Sequence, residues 1–252
     1  MNILFTICAR AGSKGLPNKN LIDFLGKPLY TYTLSIISLY TKNYPQVNSV
    51  ISVNTDSDEL INRLSKFKGL EIIFVKRRSE LALDDSAKID VIRDTYREVK
   101  KTKKIDFDQV IDLDLTSPLR RLVDLELVIK KMQKTNKDLI FTVVKSRRNP
   151  RFNMIESKDG VYKRVIESNY VSRQQAPNVY DMNASIYSYS TKFLEKTISL
   201  FEADFDIVEM KDTHVLDIDD KEDHFYMEVI AQKLFEKDYE FSEINENIKN
   251  LV

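Results

Sequence analysis

The chain has 252 residues, 42% of them apolar, and its 39 Lys and Arg balance 39 Asp and Glu. That length suits one large α/β domain or one domain carrying an insertion, and the zero net charge argues against the broad cationic field of a nucleic-acid binder. The single cysteine, Cys8, excludes an internal disulfide and reads as a small buried hydrophobe rather than a nucleophile.

ILFTIC (3–8) is the first predicted strand, apolar throughout as in a strand covered on both faces. PLYTYTLSIISLY (28–40) has helical spacing with Pro28 placed to start it. SVISV (49–53) predicts a second strand. Ser57 then caps a helix whose first turn carries Asp58 and Glu59, where the helix dipole favours acids. LEIIFV (70–75), QVIDLDL (109–115) and LIFTVV (139–144) predict strands, alternating with helices over 86–99 and 122–134. This alternation predicts a Rossmann-like α/β fold, a mostly parallel sheet with helices on both faces. Ligands in such sheets bind at the carboxyl ends of the strands, beside the switch in strand order. Residues 147–181 break the rhythm with two prolines, several aromatics and short alternating runs, which predicts an inserted small β arm and a dimer contact. ASIYSY (184–189) and HVLDID (214–219) are then predicted strands, followed by a helix over 221–237. The division expected is therefore a main domain of 1–146 and 182–252 with 147–181 as the insertion. No apolar run approaches the ~20 residues of a membrane span, and no signal-peptide pattern precedes the first strand. A cytoplasmic protein without membrane or nucleic-acid partners is expected.

The stretch ARAGSKGLPNKN (9–20) falls at the carboxyl end of the first strand. Its spacing does not fit a Walker A loop: Gly12 and Gly15 are too close, no Lys-Ser/Thr pair follows Gly15, and Pro17 interrupts. A G-x-G-x-x-G fingerprint is absent too. Glycines still let backbone N–H groups approach an anion, and Arg10, Lys14 and Lys19 can neutralise a polyphosphate. The residues alone leave a solvated basic turn as the competing reading. Farther on, Asp217 and Asp219 are two apart in the predicted strand 214–219, so both point to one face, and paired carboxylates at a strand end suit Mg²⁺. The competing reading is a polar strand end whose acids cap the next helix, the role assigned to Asp220 and Asp223. Asp112 and Asp114 form a second same-face pair. Arg77 and Arg78 close the third strand, where a solvated cap is the bland alternative. His214 and His224 lack convergent partners and read as surface residues.

The stretch ARAGSKGLPNKN resembles the signature of the acylneuraminate cytidylyltransferases, the CMP-sialic acid synthetase family. VNTDSDEL (53–60), KRRSELALDDSA (76–87), LDLTSPLR (113–120), SRQQAP (172–177), NASIYSY (183–189) and LDIDDKED (216–223) match in order. More narrowly, TICARAGSKG, RRNPRFN and YDMNASIY resemble the bacterial branch that activates legionaminic acid. The resemblance implies transfer of CMP from CTP to a nine-carbon α-keto acid sugar, with Mg²⁺ (or Mn²⁺) on Asp217 and Asp219, in a homodimer. It implies that Arg10, Lys14, Lys19, Asp217 and Asp219 are catalytic. The nucleotide would lie on Ala9, Arg10, Ala11, Gly12, Ser13, Lys14, Asn20, Arg77 and Ser86. The sugar would meet Asp114, Arg173, Gln174, Asn183 and Tyr187, Arg173 facing its carboxylate with the bidentate fork that arginine offers. Two departures, Asp114 where many sialic-acid-using relatives carry glutamine and Asp181 where they carry arginine, bear on the sugar rather than on the reaction.

Overall fold

The computed structural model describes the whole chain apart from Lys14, Lys68, Asp84, Asp85, Thr197, Ile198 and Val252. Its strands are β1 (Asn2–Cys8), β2 (Asp23–Phe24), β3 (Lys27–Pro28), β4 (Asn48–Thr55), β5 (Ile72–Lys76), β6 (Gln109–Leu113), β7 (Leu139–Lys145), β8 (Ile155–Lys158), β9 (Val161–Arg164), β10 (Tyr180–Ser190) and β11 (Phe205–Glu209). The helices are α1 (Tyr30–Asn43), α2 (Asp58–Leu64), α3 (Lys88–Lys103), α4 (Leu122–Lys134), α5 (Thr191–Leu194), α6 (Lys221–Lys237) and α7 (Tyr239–Asn247). Seven strands form one sheet in the order β11-β7-β10-β6-β1-β4-β5, in which β10 runs antiparallel to both neighbours and the remaining pairs are parallel. The mostly parallel α/β architecture expected from the alternation is present.

Alternation along β1 explains the layers. Ile3, Phe5 and Ile7 face one side and pack with Leu34, Ile37, Leu125 and Val128 from α1 and α4. Leu4 faces the other side and packs with Ile92, Tyr96 and Phe193 from α3 and α5. A third cluster joins Phe24 of the β2–β3 hairpin, Tyr32 of α1 and Met227 and Ala231 of α6, and two loop residues enter it, Leu16 and Ile218. The strand order reverses at β1: the chain goes out through β4 and β5, then returns to β6 on the other side. A crevice between the carboxyl ends of β1 and β6 follows from that switch.

Two predicted elements differ, and a C-terminal helix is additional. HVLDID (214–219) is a loop, not a strand; the edge strand is β11, just upstream, which pairs with β7. β11 is mostly exposed or half-buried, and Asp206 and Glu209 interrupt its apolar run, which hides it from an alternation test. Pro28 does not open α1 but closes a two-residue hairpin whose turn, Leu25 and Gly26, has both φ values positive. α7 was not expected. In the segment 147–181, β8 and β9 form an antiparallel hairpin, and the last residues of the segment already belong to β10.

Candidate active site

A cleft of ≈ 500 Å³ opens at the carboxyl ends of β1, β5 and β6, where the strand-order rule puts it. The 9–20 loop forms one wall. Its apolar anchor Leu16 and the anchor Ile218 of the 214–219 loop lie in the same buried cluster, 8% and 0% exposed. Because Ile218 points inward and its N–H donates to the Thr116 carbonyl at 2.8 Å, its neighbours Asp217 and Asp219 both line the cleft. The same-face arrangement expected of a strand is thus produced by a loop pinned at its middle residue.

The two loops touch through their backbones. A Cβ on Gly15 would lie 2.5 Å from the Asp219 carbonyl oxygen, so only glycine permits this approach. Lys19 Nζ sits 2.9 Å from Asp219 Oδ1. Asn20 Nδ2 donates to the Arg10 carbonyl, and Asp56 Oδ1 accepts from the Ala11 N–H at 2.7 Å. Gly12 adopts φ +72°, the left-handed region that favours glycine.

Of the residues expected at the nucleotide, Arg10, Ser13, Asn20, Arg77 and Ser86 line the cleft together with Lys19. Lys14 lies outside the described residues. Ala9 is not among the residues lining the cleft: it is 1% exposed and its N–H extends the β1–β4 ladder to the Asn54 carbonyl. Ala11 and Gly12 shape the loop and do not line the cleft. Arg77 is buried and donates to the Asn54 side chain and carbonyl at 2.8 and 3.1 Å, so its guanidinium is rigidly placed and is no solvated cap.

The floor holds an ionic group around Lys88 that sequence reading missed, with the Asp112 side chain buried and those of Lys88 and Asp114 40% and 22% exposed. Lys88 Nζ lies 2.7 Å from Asp112 Oδ2 and 2.8 Å from Asp114 Oδ2. Asp112 is 1% exposed and also accepts from the Thr6 hydroxyl. Asp114 Oδ1 accepts from the Thr116 N–H and hydroxyl. Burial opposes charge on each partner, but Lys88 and Thr116 hold the Asp114 carboxyl down at about 2, and the two carboxylates push the ammonium well above its usual range. One signal was available: Lys88 is the first residue of α3, where the dipole disfavours a cation, so a lysine there calls for an acidic partner. Cys8 borders this group, and burial with the adjacent Asp112 pushes its thiol up, consistent with an unreactive side chain.

The residues expected at the sugar separate. Asp114 and Tyr187 line a second cavity of ≈ 550 Å³ that shares Lys88 and Asp114 with the cleft. Arg173 and Gln174 line a third, of ≈ 430 Å³, in the inserted segment, where Arg173 also donates to the Ser146 carbonyl. Asn183 lines none of these three cavities: it is 3% exposed beside a bulge in β10, and its Oδ1 accepts from the Thr142 hydroxyl at 2.7 Å. His214 lies in a bend with φ +71°, and His224 Nε2 faces the Asp23 carbonyl at 2.8 Å from half-buried ground on α6.

The Asp217 carboxyl is pushed up to about 6, by burial and then by the nearby Asp219 and Asp114. Hard oxygen donors whose negative charges crowd one another fit a divalent cation, which would relieve the repulsion. Among the described residues no group of three or more His, Cys, Asp or Glu could hold a metal alone. A metal on this pair would complete its coordination with oxygens of water or of a ligand.

The cytidylyltransferase profile matches residues 4–246. The chain belongs to the cytidylyltransferase family. It is 35% identical over 231 residues to the post-translational flagellin modification protein B of Campylobacter coli, covering 92% of this chain and 95% of that one. It is 34% identical over 239 residues to the CMP-N,N'-diacetyllegionaminic acid synthase of Campylobacter jejuni subsp. jejuni, covering 94% and 99%. In fold it is similar to the CMP:2-keto-3-deoxy-manno-octonic acid synthetase solved with CTP, with a TM-score of 0.66, 18% identity and coverage of 93% and 100%. This cytidylyltransferase is a nucleotidyltransferase of the acylneuraminate type. Among its described residues no helix is long and apolar enough to cross a membrane.

Proposed function

We propose that this cytidylyltransferase joins CTP to a nonulosonic acid of the legionaminic type, giving the CMP-sugar and pyrophosphate in the cytoplasm. The observation that carries the sugar class is its full-length similarity to the Campylobacter jejuni synthase. The cleft supports the chemistry. CTP would lie along the carboxyl ends of β1, β5 and β6, with its base near Arg77 and Ser86 and its phosphates over Arg10, Lys14 and Lys19. Asp217 and Asp219 would hold Mg²⁺, which supplies positive charge at the reacting phosphate.

Attack by the sugar's anomeric hydroxyl on the α-phosphorus forms the new P–O bond as the bond to pyrophosphate breaks, the hydroxyl's proton passing to Asp217 or Asp219 or to solvent, and little covalent help from protein is needed. What the chain supplies is alignment of the two substrates and charge placed in advance, Lys19 and Arg10 against the leaving pyrophosphate. Asp114, held at about 2, is too weak a base to take the hydroxyl's proton and acts as a fixed acceptor. The arm would pair two copies: Ile155, Val161, Tyr162 and Val171 are between 65% and 79% exposed and would be covered in a dimer. Arg173 and Gln174, remote from the cleft in one chain, would then serve the partner's acceptor site.

The test is pyrophosphate release with CTP and N,N'-diacetyllegionaminic acid, N-acetylneuraminic acid or 2-keto-3-deoxy-manno-octonic acid. The first is expected to give a kcat/KM at least about tenfold above the others, the discrimination that one or two contacts supply. A larger value for another acid would reassign the sugar, and inactivity with all three would refute the reaction.

A further inference from the structure

We propose that Lys88 and Asp114 form a fixed donor–acceptor pair that reads a neutral polar substituent of the acceptor sugar, a hydroxyl or an acylamino group. The inference rests on the function proposed above and adds a specificity residue, Lys88, to it. Among the described residues, Lys88 and Asp114 are the two lining both the cleft and the adjoining ≈ 550 Å³ cavity, so they stand where nucleotide and acceptor would meet.

The free valences define the ligand. An ammonium has three N–H donors, and Lys88 spends two on Asp112 and Asp114, leaving one. Each carboxylate oxygen accepts two bonds. Asp114 Oδ1 has both from Thr116, whereas Oδ2 has one, from Lys88. One donor and one acceptor therefore remain, on atoms 2.8 Å apart. A hydroxyl donating to Oδ2 and accepting from Nζ satisfies both, as does an amide. An anion does not, because it has no hydrogen to give Oδ2 and would sit against the carboxylates of Asp112 and Asp114; the phosphates have Arg10 and Lys19 on the other walls. The neighbouring cavity offers Tyr187, Tyr189, Leu200 and Phe201 as apolar surfaces on which the rest of a sugar can rest, with Asp90 and Arg93 also in its wall. The charges that hold Lys88 up and Asp114 down keep the pair in one protonation state around neutral pH.

The experiment is steady-state kinetics with CTP and N,N'-diacetyllegionaminic acid, varying each in turn. Lys88→Met is expected to raise the sugar KM at least about tenfold while the CTP KM stays within about threefold, as for loss of a charge-assisted bond to one substrate only. Lys88→Arg keeps the charge and a donor and should recover most of the loss, which restored packing alone would not do. Lys88→Met leaves Asp112 buried without its cation; if it does not fold, Lys88→Met with Asp112→Asn removes that charge and is held to the same expectation. A folded variant whose sugar KM is unchanged, or in which both KM values rise together, overturns the inference. A wild-type chain inactive with all three acids overturns the proposed function instead.

Discussion

The wall made by the 9–20 and 214–219 loops and the inserted segment 147–181 are both irregular, yet they are built on opposite principles. The two loops send Leu16 and Ile218 into one buried cluster and touch backbone to backbone at Gly15 and Asp219. Their charged residues are therefore placed by the core. The inserted segment instead leaves Ile155, Val161, Tyr162 and Val171 in solvent, and Arg173 and Gln174 are exposed there, Arg173 tied to the Ser146 carbonyl rather than seated in a core. A site assembled against a core is preorganised before a ligand arrives. One carried by an exposed arm needs a further surface to define it.

The sharpest way to break the comparison is at the loop pair. Asp219→Asn is expected to lower kcat by about 10³-fold, the scale of losing a charge-organising group at a reacting phosphate, while the melting temperature stays close to that of the wild type, since Asp219 is largely exposed. Near-normal turnover at saturating Mg²⁺ would remove the metal assignment. Gly15→Ala comes next. Its methyl would overlap a backbone oxygen that no side-chain rotation can clear, and overpacking of about 1–3 kcal/mol should cut kcat/KM for CTP by roughly 10- to 100-fold. A change below about threefold would mean that the loops separate freely and the wall is not preorganised.

Much of this contrast was legible in the sequence because periodicity reports burial. β1, β4, β6 and β7 and the helices α3, α4 and α6 follow from apolar spacing. The strand reading of HVLDID failed because alternation says which side chains share a face, not whether the backbone has a sheet partner. Here Ile218 bonds the Thr116 carbonyl and the segment ends in the cap of α6. Its functional consequence, Asp217 beside Asp219, survived the wrong element. Gly15 was read as making room for an anion, whereas it makes room for Asp219; a glycine announces close approach without naming what approaches. Asn183 and Ala9 sit inside motifs that contain site residues, but their own side chains or N–H groups are spent on the sheet. Lys88 is invisible by spacing, since its partners lie 24 and 26 positions away on another element.

The arm supplies a weaker but cleaner test of the other half. Arg173→Ala should raise the sugar KM by about tenfold, as for loss of one charged fork, and leave the CTP KM nearly unchanged. If Arg173 serves a partner's site, an inactive Asp219→Asn chain mixed with an Arg173→Ala chain should form some dimers containing one intact site, restoring part of the sugar affinity. Equal effects on both substrates would place Arg173 with the fold rather than the acceptor.

The smallest expected effect concerns the loop pair without catalysis. Asp217 has its carboxyl raised to about 6 by burial and by Asp219, so the folded chain favours its protonated form. A carboxyl shifted upward contributes stability below its ordinary range near 3.9, and that contribution is lost as pH rises through about 6. Mg²⁺ binds the ionised form and competes with the proton. In thermal melts with CTP present, adding Mg²⁺ should therefore raise the melting temperature little at pH 5 and by a few degrees, about 2–4 °C per kcal/mol for a chain of this size, at pH 7. The pH-dependent part of that increment should vanish in Asp217→Asn, which keeps the volume but cannot ionise. An increment equal at both pH values would show that the metal meets phosphate alone, and that the pinned loop places its two carboxylates for some other purpose.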